Sequence, residues 1–450
     1  MTTPRLQKKS GSESNHAGRG YRVELWTGIR FHIRNIYDDV LGIESQPKNQ
    51  VVAVIVTGIE GWLMALEQGC YLMLKFIIIA ALLCATQAAK LPCFEKPVEC
   101  AKPLHPLLQW LGGSFAWPCP STKAIYKSSG RFIPSNVIAT RAQILRDEIF
   151  VALPRFKPGV PVTLGKTSLK KGCAATFAPF PCWSMQEEGN CNALQSVVDV
   201  FLDRQEILWA LDTGVTETLE NPIRRCPPKV VAFDTKTGKA LKTIDLSPLT
   251  SENSRLQYFG VEYSPDGRVF LYVSDAATRA ILVYDVQANK GFRVVLPKQV
   301  INGCSRKDVL YIALVTKDCG TNYLYFTYLS SLRMFAIRTD YLRQGCAQGR
   351  IQDLGPKPTK IVILGTDGGS AIFFRHEGHS NVYRWDTNTE FLPKNFKIVY
   401  RGDNCHLATH AMPDLKHQKM RVLESNFPDF IQGTVGCGAS QQLSALQGCW

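Results

Sequence analysis

Polar side chains recur at the ends of six similar apolar segments in this sequence, and together they could bind a small molecule. The segments end in hydroxyl, amide, carboxylate or basic groups. Such groups could bind a small amine or catechol, because a carboxylate matches an ammonium group and an aromatic ring offers a face for stacking. The candidate ligand-binding residues are Arg155, Asp212, Thr213, Ser274, Asp275, Ser330, His376, Asn426 and Phe427.

The same residue types also have a structural interpretation. Asp and Ser at strand ends often cap turns and tie neighbouring segments together. The histidines do not distinguish a binding site from a structural role. The segment His376–His379 lacks the one-turn helical spacing of a zinc-binding motif, and His406 and His410 fit an exposed loop. Without CxxC pairs, a Walker loop or a GxSxG motif, we assign no catalytic residue, no metal site and no cofactor.

The segments repeat in a fixed order that predicts an all-β fold. Each is followed by a second strand that ends in an Asp, Asn or Gly turn, and the pairs recur at intervals of roughly 50 to 60 residues, as in β-propellers. Two β-sandwiches are the alternative, but they do not require one internal order six times. We therefore predict a six-bladed propeller over residues 131–437 with disulfide-rich loops. The repeated segments are Ile149–Arg155, Ile207–Gly214, Phe270–Ala277, Tyr323–Ser331, Ser370–Gly378 and Lys419–Asn426.

The flanking regions receive separate assignments. Residues 90–130 are rich in Cys and Pro and form either an irregular lead-in or the outermost strand of a sheet completed later. Residues 438–450 are assigned as a C-terminal tail. Residues 73–89 have the basic start, short apolar run and small residues of a secretory signal peptide. The preceding residues 1–72 are an unassigned leader, and we expect translation to start at Met73. Alternatively, residues 51–89 form an uncleaved membrane anchor, which is the less favoured interpretation.

The cysteine content indicates the cellular compartment, and the charge limits the classes of binding partner. The chain has 15 cysteines, and all but Cys70 and Cys84 follow the signal segment. In an exported chain we expect disulfides, and the odd number leaves at least one free thiol or an intermolecular disulfide. The net charge of +14 is thinly spread, which argues against a nucleic-acid groove. The disulfide candidates are Cys173, Cys182, Cys191, Cys226, Cys304, Cys319, Cys405 and Cys437.

Several strings resemble the insect yellow and major royal jelly protein family. The resemblance covers about residues 110–437 in the family's order, and it implies a secreted six-bladed propeller. Three further strings are most like the g branch of the yellow proteins, which is associated with ovary and eggshell; they are 112–115, 186–191 and 365–371. The family strings lie at 132–141, 150–155, 179–184, 208–214, 226–229, 272–276 and 424–426.

The resemblance implies three candidate functions. The favoured one is a secreted, non-enzymatic component or stabiliser of an insect extracellular matrix, either eggshell and vitelline membrane or cuticle, whose partners are matrix proteins. The second is a melanin-pathway enzyme that converts dopachrome, with Asp212 or His376 as the base. The third is a binder of biogenic amines in the central channel. The first is favoured because no acid–base constellation stands out, and no stable membrane insertion is expected after signal cleavage.

Overall fold

The computed structural model describes residues 106–172, 175–301, 304, 307–403 and 405–447. These residues belong to Cys93–Trp450, the larger of two compact units in the chain. They form six antiparallel four-stranded sheets and one two-stranded hairpin. No helix among them is long and apolar enough to cross a membrane. The predicted signal segment and leader lie outside the described residues.

Strand β1 (Leu108–Leu111) precedes three blades that follow one another along the chain. Blade 1 contains β2 (Arg141–Leu145), β3 (Glu148–Ala152), β4 (Leu164–Ser168) and β5 (Ala178–Pro179). Blade 2 contains β6 (Val197–Leu202), β7 (Ile207–Asp212), β10 (Lys229–Asp234) and β11 (Ala240–Asp245), with the hairpin β8 (Val215–Thr216) and β9 (Ile223–Arg224) inserted. Blade 3 contains β12 (Leu256–Tyr263), β13 (Val269–Asp275), β14 (Ala280–Asp285) and β15 (Lys290–Val295).

The remaining strands form three more blades of the same kind. Blade 4 contains β16 (Leu310–Thr316), β17 (Asn322–Tyr328), β18 (Arg333–Arg338) and β19 (Gln352–Pro356). Blade 5 contains β20 (Ile361–Thr366), β21 (Ala371–His376), β22 (Val382–Asp386) and β23 (Phe396–Tyr400). Blade 6 contains β24 (Leu407–Asp414), β25 (Lys419–Ser425), β26 (Ser440–Ala445) and β1. The α-helices in the described part of the chain are α1 (Pro120–Ser128), α2 (Thr339–Arg343) and α3 (Phe427–Gln432).

The innermost strands of the blades contact one another in a closed circle. In circular order they are β2, β6, β12, β16, β20 and β24, and β24 contacts β2 again. They enclose a central channel, and we call the face at which they begin the upper face. The prediction of an all-β, six-bladed propeller is confirmed.

The repeated segments identified in the sequence are the second strands of the blades, and their burial explains why they read as continuous apolar runs. Every side chain of β13 and β14 is buried, since these strands pack against neighbouring blades on both faces. The outer strand β15 has exposed residues at both ends. A strand buried on both faces reads as a continuous apolar run, whereas an edge strand does not.

Blade 6 is completed by strands from both ends of the described chain. Its order is β1-β26-β25-β24, and β1 pairs with β26 from Leu108 opposite Leu443 to Leu111 opposite Ser440. The propeller therefore extends beyond the predicted bounds of residues 131–437 at both ends. Of the two interpretations of residues 90–130, the outermost strand of a sheet completed later is the one observed for Leu108–Leu111.

The described loops hold fewer disulfides than the sequence suggested. Cys191 and Cys226 are bonded, with their Cα atoms 5.4 Å apart, and Cys437 is also disulfide-bonded. Contrary to the prediction, four candidates are free thiols; the Cys182 sulfur, for example, lies 3.1 Å from the Ser184 hydroxyl. Cys173 lies outside the described residues. The free candidates are Cys182, Cys304, Cys319 and Cys405.

Replacing both Cys191 and Cys226 with serine is expected to lower the free energy of unfolding by about 4 kcal/mol. The disulfide joins residues 35 apart, and a closed loop of that size restricts the unfolded chain by roughly that amount. Urea unfolding of both proteins measures the change. Cys182→Ser, which removes an exposed free thiol, is the control and should leave the stability unchanged. Equal stability of the double variant and the wild type would contradict this expectation.

Candidate functional site

The predicted ligand-binding residues lie at the upper face, but on or next to second strands rather than innermost ones. The second strand runs antiparallel to the innermost strand, so its end lies beside the start of that strand. Thus Asp212 pairs with Val197 of β6, and Asp275 pairs with Leu256 of β12. These segments do not line the channel, because another strand separates them from it in every blade.

Arg155 and Asp212 are buried and bonded to the backbone of the upper loops. Arg155 is 2% exposed and Asp212 is 0% exposed. The Asp212 carboxylate accepts the backbone N–H groups of Gln195 and Ser196, each at 2.8 Å, and that of Gly214 at 3.0 Å. These contacts fit turn capping and leave no accessible carboxylate oxygen for a base. The Arg155 guanidinium donates to the carbonyl oxygens of Val160, Pro161, Gln186, Leu194 and Gln195.

Ser274 and Asp275 have a similar structural role in blade 3. Both are 0% exposed. The Asp275 carboxylate accepts the backbone N–H of Arg255 at 2.9 Å and the hydroxyl of Ser254 at 2.7 Å. The Ser274 hydroxyl oxygen accepts the backbone N–H of Tyr258 at 3.0 Å. Both side chains therefore hold the chain that enters β12.

The other five candidates are partly exposed, and ligand contact by them stays a prediction. The His376 ring shares a 2.6 Å hydrogen bond with the Thr359 hydroxyl, and burial together with the nearby His379 lowers the pKa of His376. A neutral His376 at physiological pH follows from that shift. The five are Thr213, Ser330, His376, Asn426 and Phe427.

A different group of side chains occupies the channel itself. Its members come from five innermost strands, and each lies among the first four residues of its strand. The Arg141 side chain contacts Leu364 of β20 and Tyr258 of β12, two strands that do not neighbour its own, so it must lie within the channel. We call this group the channel cluster: Arg141, Asp199, Tyr258, Tyr311 and His410.

Asp199 is the acid–base group of the channel cluster. Its carboxylate accepts the backbone N–H of Val200 at 2.9 Å and that of Phe259 at 3.0 Å, and it lies 3.7 Å from Nε of Arg141. Burial raises the pKa of Asp199 to about 6, although Arg141 and the two N–H groups act in the opposite direction. A carboxylate with a pKa near neutrality can both take up and release a proton.

Arg141 and two tyrosines give the channel cluster a positive charge and ring faces. The Arg141 guanidinium donates to the carbonyl oxygens of Leu364 and Thr409, each at 3.0 Å, and lies 4.4 Å from the centre of the Tyr258 ring. Tyr258 stacks on Tyr311 with ring centres 5.1 Å apart. Burial raises the pKa of Tyr311 well above its usual value, so its hydroxyl stays protonated.

His410 is a neutral imidazole. Its Nδ1 accepts the backbone N–H of Ala142 at 3.1 Å, which places the ring proton on Nε2. Burial, and then the charge of Arg141, lower the pKa of His410 well below its usual value. The ring is therefore a hydrogen-bond donor at neutral pH and carries no charge.

The channel cluster combines a titratable carboxylate, a cation, a neutral imidazole and stacked rings. Such a set can bind a planar, partly charged molecule and move a proton on it. These residues were not predicted from the sequence, because the most recognisable apolar segments are the second strands of the blades and not the innermost ones. A signal was present: Arg141 and Asp199 are charged residues in otherwise mostly apolar strands. The described residues hold no group of three His, Cys, Asp or Glu side chains suited to a metal ion.

Comparison with solved structures gives only distant likenesses. Regucalcin from Agrobacterium tumefaciens, described as a calcium-binding protein, aligns with a TM-score of 0.43 and 15% identity over 71% of this chain and 94% of that chain. A luciferin-regenerating enzyme aligns with a TM-score of 0.42 and 9% identity over 70% of this chain and 92% of that chain.

Comparison with known sequences identifies the family. Protein yellow from Drosophila pseudoobscura pseudoobscura is 24% identical over 369 residues, 74% of this chain but 64% of the relative, so the match spans less than two thirds of that protein. Dopaminechrome tautomerase from Drosophila melanogaster is 28% identical over 347 residues, 69% of this chain and 74% of the relative. The profile of the Major royal jelly protein family matches residues 195–442. Because that match covers more than half of the sequence, the chain belongs to the major royal jelly protein family.

Proposed function

We propose that the channel cluster binds a cyclised catecholamine quinone and catalyses its tautomerisation. The observation that carries this proposal is the Asp199 carboxylate, which lies in the channel with a pKa of about 6 beside Arg141. The name of the fly relative, dopaminechrome tautomerase, indicates the substrate class. The sequence alone favoured a non-enzymatic protein because this cluster was not evident from it.

The residues of the channel cluster match the needs of a tautomerisation. The Asp199 carboxylate takes a proton from a ring carbon, and the electron pair moves through the conjugated system to a quinone oxygen. That oxygen is stabilised by the Arg141 charge and by a hydrogen bond from His410 Nε2, and it gains a proton from solvent. A second proton is then lost from the adjacent saturated ring carbon, its electron pair moves to the other quinone oxygen, and protonation of that oxygen from solvent completes the dihydroxyindole. No oxidant is required, because the substrate and product have the same oxidation level. The Tyr258 face stacks on the planar ring.

The purified protein is expected to accelerate the loss of dopaminechrome colour with saturation kinetics and to yield the dihydroxyindole. Absorbance spectroscopy follows the loss, and liquid chromatography identifies the product. A folded protein that leaves the decay at the rate of buffer would overturn the proposal. If calorimetry then showed that dopamine or serotonin binds, the channel would be an amine-binding site without catalysis.

A second candidate, incorporation into an insect eggshell or cuticle after secretion, is favoured by the exposed thiols. The Cys191–Cys226 disulfide is typical of exported proteins, and exposed thiols can form intermolecular disulfides with matrix proteins. The partly exposed pair Trp117 and Trp183 stacks with ring centres 4.9 Å apart and adds an aromatic surface beside two of these thiols. The exposed free thiols are Cys119, Cys182, Cys319, Cys346 and Cys405.

If the protein is held in a matrix by these thiols, extraction of eggshell or cuticle should release it with reductant and denaturant but not with denaturant alone. Immunoblotting of the two extracts makes the comparison. Variants in which the five exposed cysteines are serine should be released by denaturant alone. Complete release of the wild type without reductant would count against covalent incorporation.

A further inference from the structure

A second group of polar side chains lies on the upper face of blade 6. The Ser440 hydroxyl is 2.9 Å from His406 Nε2, and His406 Nδ1 is 3.1 Å from each carboxylate oxygen of Asp403. A hydroxyl, an imidazole and a carboxylate bonded in this order form the arrangement by which hydrolases activate a serine. We propose that Ser440, His406 and Asp403 form a nucleophilic serine site that hydrolyses carboxylic esters.

The fold brings these residues together from two separate parts of blade 6. His406 immediately precedes β24, the innermost strand, and Ser440 is the first residue of β26. Both strands run antiparallel to β25, which lies between them, so their first residues meet at the upper face. Asp403 and His406 lie in one short turn, but Ser440 is 34 residues beyond His406, so no local motif identifies the three residues as a group.

The histidine is held by the turn that precedes it. The Asp403 carboxylate accepts the backbone N–H groups of Cys405 at 3.0 Å and His406 at 2.8 Å, in addition to the ring nitrogen. Burial alone would raise the pKa of Asp403, but the hydrogen bonds from His406 and from the backbone outweigh it, and the pKa lies below its usual value. Asp403 is therefore ionised at neutral pH and favours the tautomer with the proton on Nδ1, which leaves Nε2 free to accept the serine proton.

The serine is held by Asn426 and by the loop that leads into β26. The backbone N–H of Ser440 donates to Oδ1 of Asn426 at 2.8 Å, and the Asn426 N–H donates to the Ser440 carbonyl at 3.1 Å. Cys437 anchors the preceding loop through its disulfide. Asn426, a ligand-contact candidate from sequence, is a positioning residue for the nucleophile in this proposal.

The site is open to solvent on one side. The His406 side chain is 14% exposed and that of Asp403 is 53% exposed, while Ser440 is partly exposed. The group is therefore in contact with solvent, from which a small ester can approach.

The chemistry is balanced without any further reactant except water. The Ser440 oxygen attacks the acyl carbon while His406 Nε2 takes the hydroxyl proton, and the leaving alcohol departs with that proton. Water, deprotonated by the same nitrogen, then attacks the acyl-serine, and Ser440 regains its proton as the carboxylic acid is released. The Asp403 carboxylate stabilises the imidazolium in both steps.

A covalent probe distinguishes this site from a purely structural hydrogen-bond chain. The folded protein is incubated with a fluorophosphonate probe, which reacts with activated serines, and the labelled peptide is identified by mass spectrometry. We expect the label on Ser440 and expect it to be lost in both Ser440→Ala and His406→Gln. A structural hydroxyl would not react, so an unlabelled protein with a native circular dichroism spectrum overturns the proposal.

Hydrolysis of p-nitrophenyl acetate gives the second measurement. Wild type is expected to exceed the buffer rate, and Ser440→Ala and His406→Gln are expected to lower its protein-dependent rate about 100-fold or more. The matched control is Ser128→Ala, which removes an exposed hydroxyl at the end of α1 and should change nothing. Hydrolysis that survives in Ser440→Ala would overturn the assignment. Dopaminechrome turnover should persist in Ser440→Ala, so the two proposals fail or succeed separately.

Discussion

Replacing Asp199 with asparagine is expected to lower kcat/KM for dopaminechrome at least about 100-fold, because the amide cannot accept the substrate proton. The pKa of Asp199 in the folded protein is about 6, above its usual 3.8. The base is ionised only above that pKa, so kcat/KM of the wild type should fall as the pH decreases through about 6. Initial rates measured across this range test both statements.

The control for Asp199 is Asp266→Asn, which alters a carboxylate on an exposed turn of blade 3. That variant should retain wild-type rates and the same pH profile. A group with a raised pKa stabilises the fold below its unfolded pKa and loses that contribution as the pH rises through the folded value. Asp199→Asn should therefore not be less stable than the wild type at pH 7 on account of its ionisation. Unchanged turnover in this variant would remove Asp199 as the base.

Replacing Arg155 with methionine is expected to lower the free energy of unfolding by about 3–5 kcal/mol. The guanidinium donates to five backbone carbonyl oxygens inside the loops of blades 1 and 2, and methionine would leave these buried acceptors without partners. Urea unfolding followed by tryptophan fluorescence gives the difference.

Arg131→Met is the matched control, since Arg131 is exposed and lies over the Tyr126 ring at 4.5 Å. Its effect should stay below about 1 kcal/mol. If Arg155→Met were as stable as this control and instead lost binding of a catecholamine quinone, the role predicted from sequence would be correct and the structural role wrong.

The propeller was predictable because the second strand of each blade is buried on both faces. Segments such as Phe270–Ala277 and Ile207–Gly214 are therefore the most apolar and most regular parts of the sequence. The same property explains why the channel residues were not predicted, since the strand that is easiest to recognise in the sequence is not the strand that lines the channel. Innermost strands have one face toward the channel and include residues such as Arg141 and Asp199, which break the apolar pattern.

The residues with the clearest chemistry depend on contacts that no local pattern encodes. Arg141 is recognised as a channel residue only from its contacts with β12 and β20, each two positions away from β2 around the ring. Ser440 lies in a segment that the sequence presented as a tail, and its partner histidine lies in what looked like an ordinary polar loop. In both cases the relevant neighbours are set by ring closure, which sequence spacing does not reveal.

The pairing of β1 with β26 has a consequence for synthesis on the ribosome. Gln109 and Gln442, which share a hydrogen bond in this pair, are separated by 333 positions. Strand β1 thus remains an unpaired edge until β26 has been synthesised. The other five blades can form on the nascent chain, but the sixth is completed only when β26 has emerged. Termination between β25 and β26 would therefore leave both β1 and β25 as unpaired edges, which are surfaces that promote aggregation.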